Sequence, residues 1–306
     1  MKKRWKDILA VIVVAITFYF LWSQFSKNLS ELKGFNWQIN NIYLILAILV
    51  TIFFYLIAHL RWRLILKYLG FKISAYRSLK YWIFAELGRY IPGKLWFVLG
   101  RAYFGKKEGI RHSVIFLSTF LELVVLAGTS VIMFLIGVAF VKNLELWILL
   151  LSLAFIIILL IGIYPPIFNW GFNLILRLLK REPHRIRIPY KKMLWLVIVL
   201  IFMWVVHGSA FYLTSKAIYP ALQLSFQSYS LFIGVFAISW LIGFVSFLTP
   251  GGIGIREAVM TYFLGFYLPI PIAVMMAIAF RVLLIVAEFG FGAVLLILHK
   301  LEKNKY

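Results

Sequence analysis

The chain has 306 residues, of which 64% are apolar and 14% charged, and its 32 Lys and Arg against ten Asp and Glu give a formal charge of +22. A soluble domain has roughly 45–50% apolar and about 25% charged residues, so this composition excludes a soluble globular enzyme. The aromatic content of 18% excludes a disordered chain, and cations that lie between long apolar runs do not indicate nucleic-acid binding. We therefore expect a polytopic membrane protein.

Seven stretches reach the length of about 20 mainly apolar residues that a helix needs to cross a bilayer. They are Ile8–Phe25, Ile42–Leu60, Ser113–Val141, Leu146–Tyr164, Met193–Leu213, Tyr229–Leu248 and Ile272–Leu298. The first follows a basic N-terminus, but no pattern of small residues typical of a cleavage site comes after it. We therefore interpret it as an uncleaved span.

Two further apolar segments are interrupted by charges and by helix-breaking residues. Tyr81–Gly100 contains Glu86, Arg89, Pro92, Gly93 and Lys94. Thr249–Leu268 contains Pro250, Gly251, Gly252, Gly254, Arg256 and Glu257. Proline cannot continue a helix and glycine weakens one, so neither segment is expected to be a regular span.

The positive charges predict the orientation, because Lys and Arg in short loops mark the cytoplasmic side. With the N-terminus inside, 24 of the 32 cations fall on the cytoplasmic side and four on the outer side. We expect both termini in the cytoplasm and the protein in the cell (plasma or inner) membrane.

Tyr81–Gly100 must then enter and leave on the cytoplasmic side, whereas Thr249–Leu268 begins inside and ends outside as a broken helix. Non-helical backbone at membrane depth must be covered by protein or reached by water, so both segments predict a polar cavity.

The predicted fold is all-α: one integral membrane domain over residues 1–306, with about eight spans and re-entrant or broken helices. Residues 165–192 are expected to form an amphipathic interfacial helix, or else an ordinary charged connector, between halves 1–164 and 193–306. The two Pro-Gly motifs are 158 residues apart. Interrupted segments at corresponding positions of two halves indicate a repeated transporter fold with its binding site at the breaks, although two such dipeptides can also recur by chance.

Ionisable residues at membrane depth usually face a cavity and pair with one another. The apolar and interrupted segments contain four cations, Arg89, Lys94, Arg256 and Arg281, and four anions, Glu86, Glu122, Glu257 and Glu288. Glu86 and Arg89 can pair within one helix turn, and Arg281 and Glu288, seven residues apart, share a helix face. One interpretation is that internal salt bridges hold the bundle together.

The other interpretation is a binding site for an anionic headgroup. Arg89, Lys94, Arg101, Arg256 and Arg281 would donate charge-assisted hydrogen bonds to phosphate, and Gly251 and Gly252 would let the backbone approach it closely. The four glutamates would hold the arginines in place or take up a coupled proton. Pro92, Gly93, Pro250 and Gly254 would be the hinges of the broken helices.

Other residue types suggest less. His59 and His207 are expected to make helix–helix hydrogen bonds, and Trp62, Trp82, Trp96 and Trp195 are expected to anchor the helices at the cytoplasmic interface. The chain has no cysteine and a single aspartate, Asp7, and it has no recognisable nucleophile or metal-ligand motif. We therefore expect no catalytic residues, no metal and no cofactor.

The two interrupted motifs also carry a family resemblance. Residues 88–94, GRYIPGK, residues 99–101, LGR, and residues 249–258, TPGGIGIREA, are similar to the lysylphosphatidylglycerol synthase transmembrane family. Arg281 and Glu288 downstream, and residues 61–63, RWR, also fit. The resemblance extends over essentially the whole chain and implies a lipid-handling membrane domain. The soluble aminoacyltransferase domain of the founding members is missing here, which leaves the substrate open.

These observations favour a flippase-type transporter for an anionic lipid or a polyprenyl-phosphate-linked sugar. The alternative is a non-transporting subunit that presents lipid to a partner glycosyltransferase or lipid-modifying enzyme, with the basic loops 61–80 and 177–192 as docking surfaces. A third reading, an intramembrane enzyme with Glu122 or Glu257 as its base, explains fewer of the residues. Membrane lipid is the expected partner in the first two cases, and nucleic acid in none.

Overall fold

The structure, a computed structural model, describes residues 39–90, 96–141, 145–178, 180, 182, 187–246 and 249–303, and every regular element in these ranges is helical. The α-helices are α1 Asn41–Tyr68, α2 Ala75–Leu87, α3 Trp96–Lys107, α4 His112–Val141, α5 Leu146–Gly162, α6 Pro165–Leu178, α7 Tyr190–Ile218, α8 Phe226–Val245, α9 Ile255–Leu264 and α10 Ile270–Lys303. Short 3-10 turns lie at Gly88–Tyr90 and Pro250–Gly252. The predicted span Ile8–Phe25 and the residues Pro92, Gly93 and Lys94 lie outside the described residues.

Five of these helices are long and apolar enough to cross a membrane: α1, α4, α7, α8 and α10. They coincide with predicted spans, so the expectation of a polytopic all-helical bundle is confirmed. Helix α5 has 17 residues and forms a pair with α6 that is bent by 75°. Of the about eight predicted spans, the described residues therefore contain five full-length helices and the shorter α5, while α9, with ten residues, crosses only part of a bilayer.

Helix α6 lies in the predicted interfacial segment and is amphipathic. Its buried side chains, Phe168, Phe172 and Leu176, recur every four residues and so lie on one face. Phe168 and Phe172 pack against Phe120 of α4 with ring centroids 5.9 and 5.3 Å apart. On the opposite face Trp170 is exposed. The position of α6 at a membrane interface and its role as a linker between two halves stay predictions.

The centre of the bundle depends on close helix crossings. On α4, a Cβ added to Gly137 would stand 2.6 Å from the Ser230 carbonyl oxygen of α8, and one added to Gly234 of α8 would stand 2.7 Å from the Met133 carbonyl oxygen of α4. Small residues at such points let two membrane helices approach through their backbones. Helices α1 and α7 form a second pair, in which the ring of Phe54 stacks on His207 at 3.7 Å. These two pairs form the frame around which the broken segments are placed.

Candidate functional site

The first interrupted segment is a helical hairpin made of α2, the turn Gly88–Tyr90 and α3. Ser74 begins it as the N-cap of α2, where its hydroxyl oxygen accepts a hydrogen bond from the backbone N–H of Arg77. At the base of the hairpin Arg77 pairs with Glu108 just after α3 at 3.1 Å, and higher up Tyr81 stacks on Phe104 at 4.7 Å. The two helices therefore run antiparallel, and the chain returns to the end of the bundle from which it came. This hairpin geometry agrees with the predicted re-entrant segment, and its entry and exit on the cytoplasmic side stay predictions.

Close packing near the tip holds the two arms of the hairpin together. A Cβ on Gly100 would stand 3.1 Å from the Cα atom of Ala85, and a Cβ on Gly88 would stand 3.0 Å from the carbonyl carbon of Trp96. Larger residues at either position would separate α2 from α3. The glycines thus fix where the charged side chains of the tip, Glu86 and Arg89, are presented.

The second interrupted segment is the predicted broken helix. Gly251, Gly252 and Gly254 have φ angles of 61°, 71° and 86°, a left-handed conformation that glycine adopts without strain. The backbone N–H of Gly254 donates to the Glu257 carboxylate at 2.6 Å, which caps the start of α9. The entry is therefore non-helical and a short helix follows it, as the sequence predicted for Pro250, Gly251, Gly252 and Gly254.

The two breaks meet each other inside the bundle. The ring of Tyr90 lies 3.1 Å from the position that a Cβ on Gly251 would occupy, so the two breaks are in close contact, and the φ of 61° at Gly251 also favours glycine. From α10, Arg281 donates to the Gly251 carbonyl oxygen at 3.0 Å, and Glu288 accepts a hydrogen bond from the Tyr90 hydroxyl at 2.5 Å. Arg281 and Glu288 lie on either side of the middle of the apolar stretch Ile270–Leu298. The breaks therefore meet near the centre of a membrane-spanning helix.

A continuous series of ion pairs runs from the C-terminal half of α1 to this meeting point. We call it the charge ladder, and in order it consists of Arg61, Glu122, Arg101, Glu86, Arg89 and Glu288. Glu122 accepts from Arg61 and, at 2.5 Å, from Arg101, and Glu86 accepts from both Arg101 and Arg89 at 3.2 Å. Arg89 also pairs with Glu288. The ladder joins α1, α2, α3, α4 and α10, and the predicted pair Glu86–Arg89 is confirmed as one of its steps.

Arg281 and Glu288 lie on the buried side of α10, as predicted, but they pair with different segments. Glu288 belongs to the charge ladder and also accepts a hydrogen bond from the hydroxyl of Tyr55. Arg281 instead pairs with Glu257 of α9, with Nε and Oε1 2.9 Å apart. Helix α10 therefore holds the hairpin tip through one charge and the broken helix through the other.

Tryptophans line the charge ladder, and this corrects one expectation. Trp62 and Trp82 were expected at the membrane interface, but both are buried. The Arg61 guanidinium lies over the Trp82 ring at 5.0 Å and that of Arg101 over the Trp62 ring at 5.4 Å, as cation–π contacts. The aromatic faces cover the flat sides of guanidinium groups whose edges bind carboxylates.

The two histidines differ in their contacts. His59 of α1 lies with Nδ1 3.1 Å from the Ser78 hydroxyl oxygen of α2, so the predicted helix–helix hydrogen bond is confirmed for this residue. For His207 the expectation of a hydrogen bond is not met at Nε2, which has no partner among the described residues. Its ring is instead held between Phe54 and Phe236, with centroid distances of 3.7 and 4.4 Å.

A cavity of about 80 Å³ opens beside the charge ladder, where the two interrupted segments predict one, and charged side chains share its lining with apolar ones. The predicted site residues that line it are Glu86, Arg89, Arg101, Glu122, Arg256 and Glu288. Arg281, Glu257 and Gly251 lie beside them at the second break, and Gly252 packs against Arg256, because a Cβ there would stand 2.9 Å from its Nε. The structure thus brings together the charged residues from both interrupted segments, except for Lys94, which lies outside the described residues.

Sequence reasoning missed other residues of this site. Arg61, Tyr55, Trp82 and His207 also line the cavity, and Tyr90 binds Glu288. The expected set of four cations and four anions was balanced, whereas the buried cluster in the described part of the chain has five arginines, Arg61, Arg89, Arg101, Arg256 and Arg281, against four glutamates. A signal was present at residues 61–63, where two arginines flank a tryptophan directly after an apolar run.

Comparisons with known proteins agree with this architecture. A search of curated proteins gives no significant match. The model of the lysylphosphatidylglycerol synthase transmembrane region matches residues 8–292, which is nearly the whole chain and includes both breaks and all residues of the charge ladder. The chain therefore belongs to the lysylphosphatidylglycerol synthase transmembrane-region family.

Proposed function

We propose that this protein is a flippase-type transporter that moves the headgroup of an anionic lipid across the membrane while the lipid tail stays in the bilayer. The substrate is a phospholipid or a polyprenyl-phosphate-linked sugar. One observation carries the proposal: the re-entrant hairpin and the broken helix meet near the middle of α10, and both present charged side chains there. Broken helices that meet at membrane depth are the common way in which transporters build a substrate site.

The ion pairs of the charge ladder suit the passage of a phosphate. An unpaired guanidinium in a low-dielectric interior is costly, so each arginine must keep an anionic partner at every step. A phosphate oxygen can replace a carboxylate oxygen on arginine, because both fit the planar fork of the guanidinium group. A headgroup that displaces Glu288 from Arg89 would leave Glu288 with its hydrogen bonds from Tyr55 and Tyr90. The exchange therefore leaves neither charge bare.

The site residues expected from the sequence enter the proposal in two roles. Arg89, Arg101 and Arg281 hold carboxylates in this conformation and would accept phosphate by exchange, with Glu86, Glu122, Glu257 and Glu288 as the displaced partners. Pro250 and Gly254 would act as hinges of the second break, where Gly254 has a left-handed φ of 86°. Gly251 and Gly252 would let the backbone approach the phosphate closely. Lys94 as a phosphate-binding residue, and Pro92 and Gly93 as hinges, complete the proposed set.

Lipid movement in proteoliposomes tests the proposal. The purified protein is reconstituted with a fluorescent phosphatidylglycerol or with a lipid-linked sugar, and the fraction of label that becomes accessible from outside is followed over time. The double variant Arg89→Gln with Glu288→Gln removes both charges together, so that neither is left unpaired. We expect it to slow movement by about tenfold or more, since a charge-assisted hydrogen bond is worth roughly 1.5–3 kcal/mol.

The same hairpin supplies a matched control. Arg77 and Glu108 form an ion pair at its base in which the arginine side chain is exposed and the glutamate side chain is partly buried. The double variant Arg77→Gln with Glu108→Gln makes the same chemical change away from the meeting point. Movement at the wild-type rate is expected for this control. If the Arg89/Glu288 double variant moved lipid as fast as the wild type, the charge ladder would have no part in transport. If the wild-type protein moves neither lipid yet co-purifies with a glycosyltransferase, the role of a lipid-presenting subunit replaces the transporter.

A further inference from the structure

Arg256 differs from the other four arginines of the buried cluster. Only 5% of its surface is exposed, yet it forms no ion pair with any described residue. Its Nε has no hydrogen-bond partner among them, which it shares with the Nε atoms of Arg89, Arg101 and Arg281. Its guanidinium group lies over the ring of Trp240 at 5.9 Å and lines the cavity. A buried guanidinium group is normally paired, so Arg256 is a cation with no counter-ion among the described residues.

Two neutral groups on the same cavity wall are also without partners. Trp82 is 2% exposed and His207 9% exposed, and neither Trp82 Nε1 nor His207 Nε2 has a hydrogen-bond partner among the described residues. The indole N–H can only donate, and an imidazole can donate from Nε2. Buried polar atoms are rarely left unsatisfied in native proteins. Arg89 and Arg101 line the same cavity, and their Nε atoms also lack a partner among the described residues. The five unsatisfied nitrogens in this lining therefore indicate an acceptor that occupies the cavity.

The size and charge of the cavity limit what that acceptor is. About 80 Å³ is room for roughly five water-sized groups, which is close to the five heavy atoms of one phosphate. The cluster of five arginines and four glutamates in the described residues has one positive charge in excess. A single tetrahedral oxyanion fits both the volume and the charge.

We infer that this cavity is an oxyanion site in which Arg256 supplies the counter-charge and Trp82 and His207 donate neutral N–H hydrogen bonds to one phosphate group. The phosphate is either that of a lipid headgroup, which rests on the proposed function, or free inorganic phosphate. Glycines make room for Arg256: Cβ atoms on Gly243 and on Gly252 would each stand 2.9 Å from its Nε. The guanidinium group is thus held against backbone on one side and faces the cavity on the other.

Thermal unfolding of the detergent-solubilised full chain tests this site without any transport. The midpoint is measured in phosphate-free buffer with increasing inorganic phosphate, and in a second series with short-chain dihexanoyl phosphatidylglycerol. A ligand that binds only the folded protein raises the midpoint with concentration. We expect a rise in at least one series, and the series that responds identifies the source of the phosphate.

Variants separate a ligand role from a structural one. Arg256→Met keeps the side-chain length and removes the unpaired charge, so the unliganded variant should be at least as stable as the wild type while its response to phosphate is lost. Trp82→Phe and His207→Phe keep an aromatic ring but lose the N–H, and should each weaken binding by about three- to tenfold. Arg111→Met, at an exposed arginine, should change neither quantity.

The outcomes are distinct from those of the transport assay. The site is refuted if neither phosphate source raises the wild-type midpoint, or if Arg256→Met responds as strongly as the wild type. Phosphate binding that depends on Arg256, without lipid movement in proteoliposomes, would support the site and contradict the transporter. Lipid movement that Arg256→Met leaves unchanged, with no phosphate binding, would support the transporter and contradict the site.

Discussion

Two glutamates of the charge ladder each bind two arginines. Glu122 holds Arg61 and Arg101, and Glu86 holds Arg101 and Arg89. Moving a charge out of water costs several kcal/mol per ion, and this cost is recovered only where the partners are close and the remaining donors are satisfied. Sharing the carboxylates lets three arginines and three glutamates compensate one another in the ladder.

Glu122 is the step whose loss should cost most. It is 1% exposed, and Glu122→Gln would leave both Arg61 and Arg101 short of a negative charge. Removing one partner of a buried ion pair costs about 3–5 kcal/mol. We expect a loss of that size in the free energy of unfolding, measured by thermal or denaturant unfolding in detergent.

Glu108→Gln is the control for this prediction. Its ion pair with Arg77 joins an arginine side chain that is 60% exposed to a glutamate side chain that is 13% exposed. Solvent reaches this pair through the arginine, so Glu108→Gln should cost less than Glu122→Gln, close to the value of about 1 kcal/mol for exposed pairs. If Glu122→Gln and Glu108→Gln lowered the free energy of unfolding by similar amounts, burial would not determine how much these carboxylates stabilise the protein.

Single residues also show where prediction from the sequence ends. Arg61 was counted among the loop cations because the apolar run stops at Leu60, whereas α1 continues to Tyr68. Eight more residues add about 12 Å of helix, and the helix can carry Arg61 inward because Glu122 neutralises it. That pairing joins residues 61 positions apart, so no local pattern could reveal it. The buried positions of Trp62 and Trp82 follow from the same arginines.

At the scale of elements, the breaks were predictable but their meeting was not. Proline, glycine and charge in an apolar segment are local signals, and they identified both the hairpin and the broken helix. The contact of Tyr90 with Gly251 depends on how α10 packs against both segments at once. Hydropathy indicates only which residues leave water, so it predicts where the helices lie in the sequence. It does not predict which helices pack against one another.

The crossing of α4 and α8 is the packing contact most sensitive to a single methyl group. In Gly234→Ala the new Cβ would stand 2.7 Å from the Met133 carbonyl oxygen and 2.9 Å from the Cα atom of Phe134. These are backbone atoms, so the helices must separate, and overpacking of this kind costs about 1–3 kcal/mol. We expect a corresponding fall in the free energy of unfolding.

Gly290→Ala on α10 is the matched control, because no atom lies within 4 Å of the added methyl group. Alanine is favoured over glycine within helices by about 1 kcal/mol, so this variant should be neutral or slightly stabilised. If Gly234→Ala were as stable as Gly290→Ala, the close approach of α4 and α8 would be wrong.

For the whole molecule, the formal charge of +22 separates into two parts with different meanings. Most of the cations lie in loops and helix ends that the positive-inside rule assigns to the cytoplasm. The buried cluster, with its five arginines and four glutamates in the described residues, contributes an excess of only one. The large basic excess therefore concerns orientation, and the small one concerns the site.

The predicted orientation can be tested cleanly because the chain has no cysteine. Single cysteines are placed at four exposed positions, as Ser74→Cys, Lys106→Cys, Gln223→Cys and Lys300→Cys, and treated with a membrane-impermeant maleimide. With the basic loops in the cytoplasm, only Gln223→Cys should react in right-side-out vesicles, and the other three should react in inside-out vesicles. Ser74 and Lys106 precede and follow the hairpin, so their reaction from opposite sides would contradict the re-entrant segment. In the predicted topology α8 runs from the outer to the cytoplasmic side, the second break with α9 runs back to the outer side, and α10 ends in the cytoplasm. Reaction of Gln223→Cys and Lys300→Cys from the same side would contradict this topology.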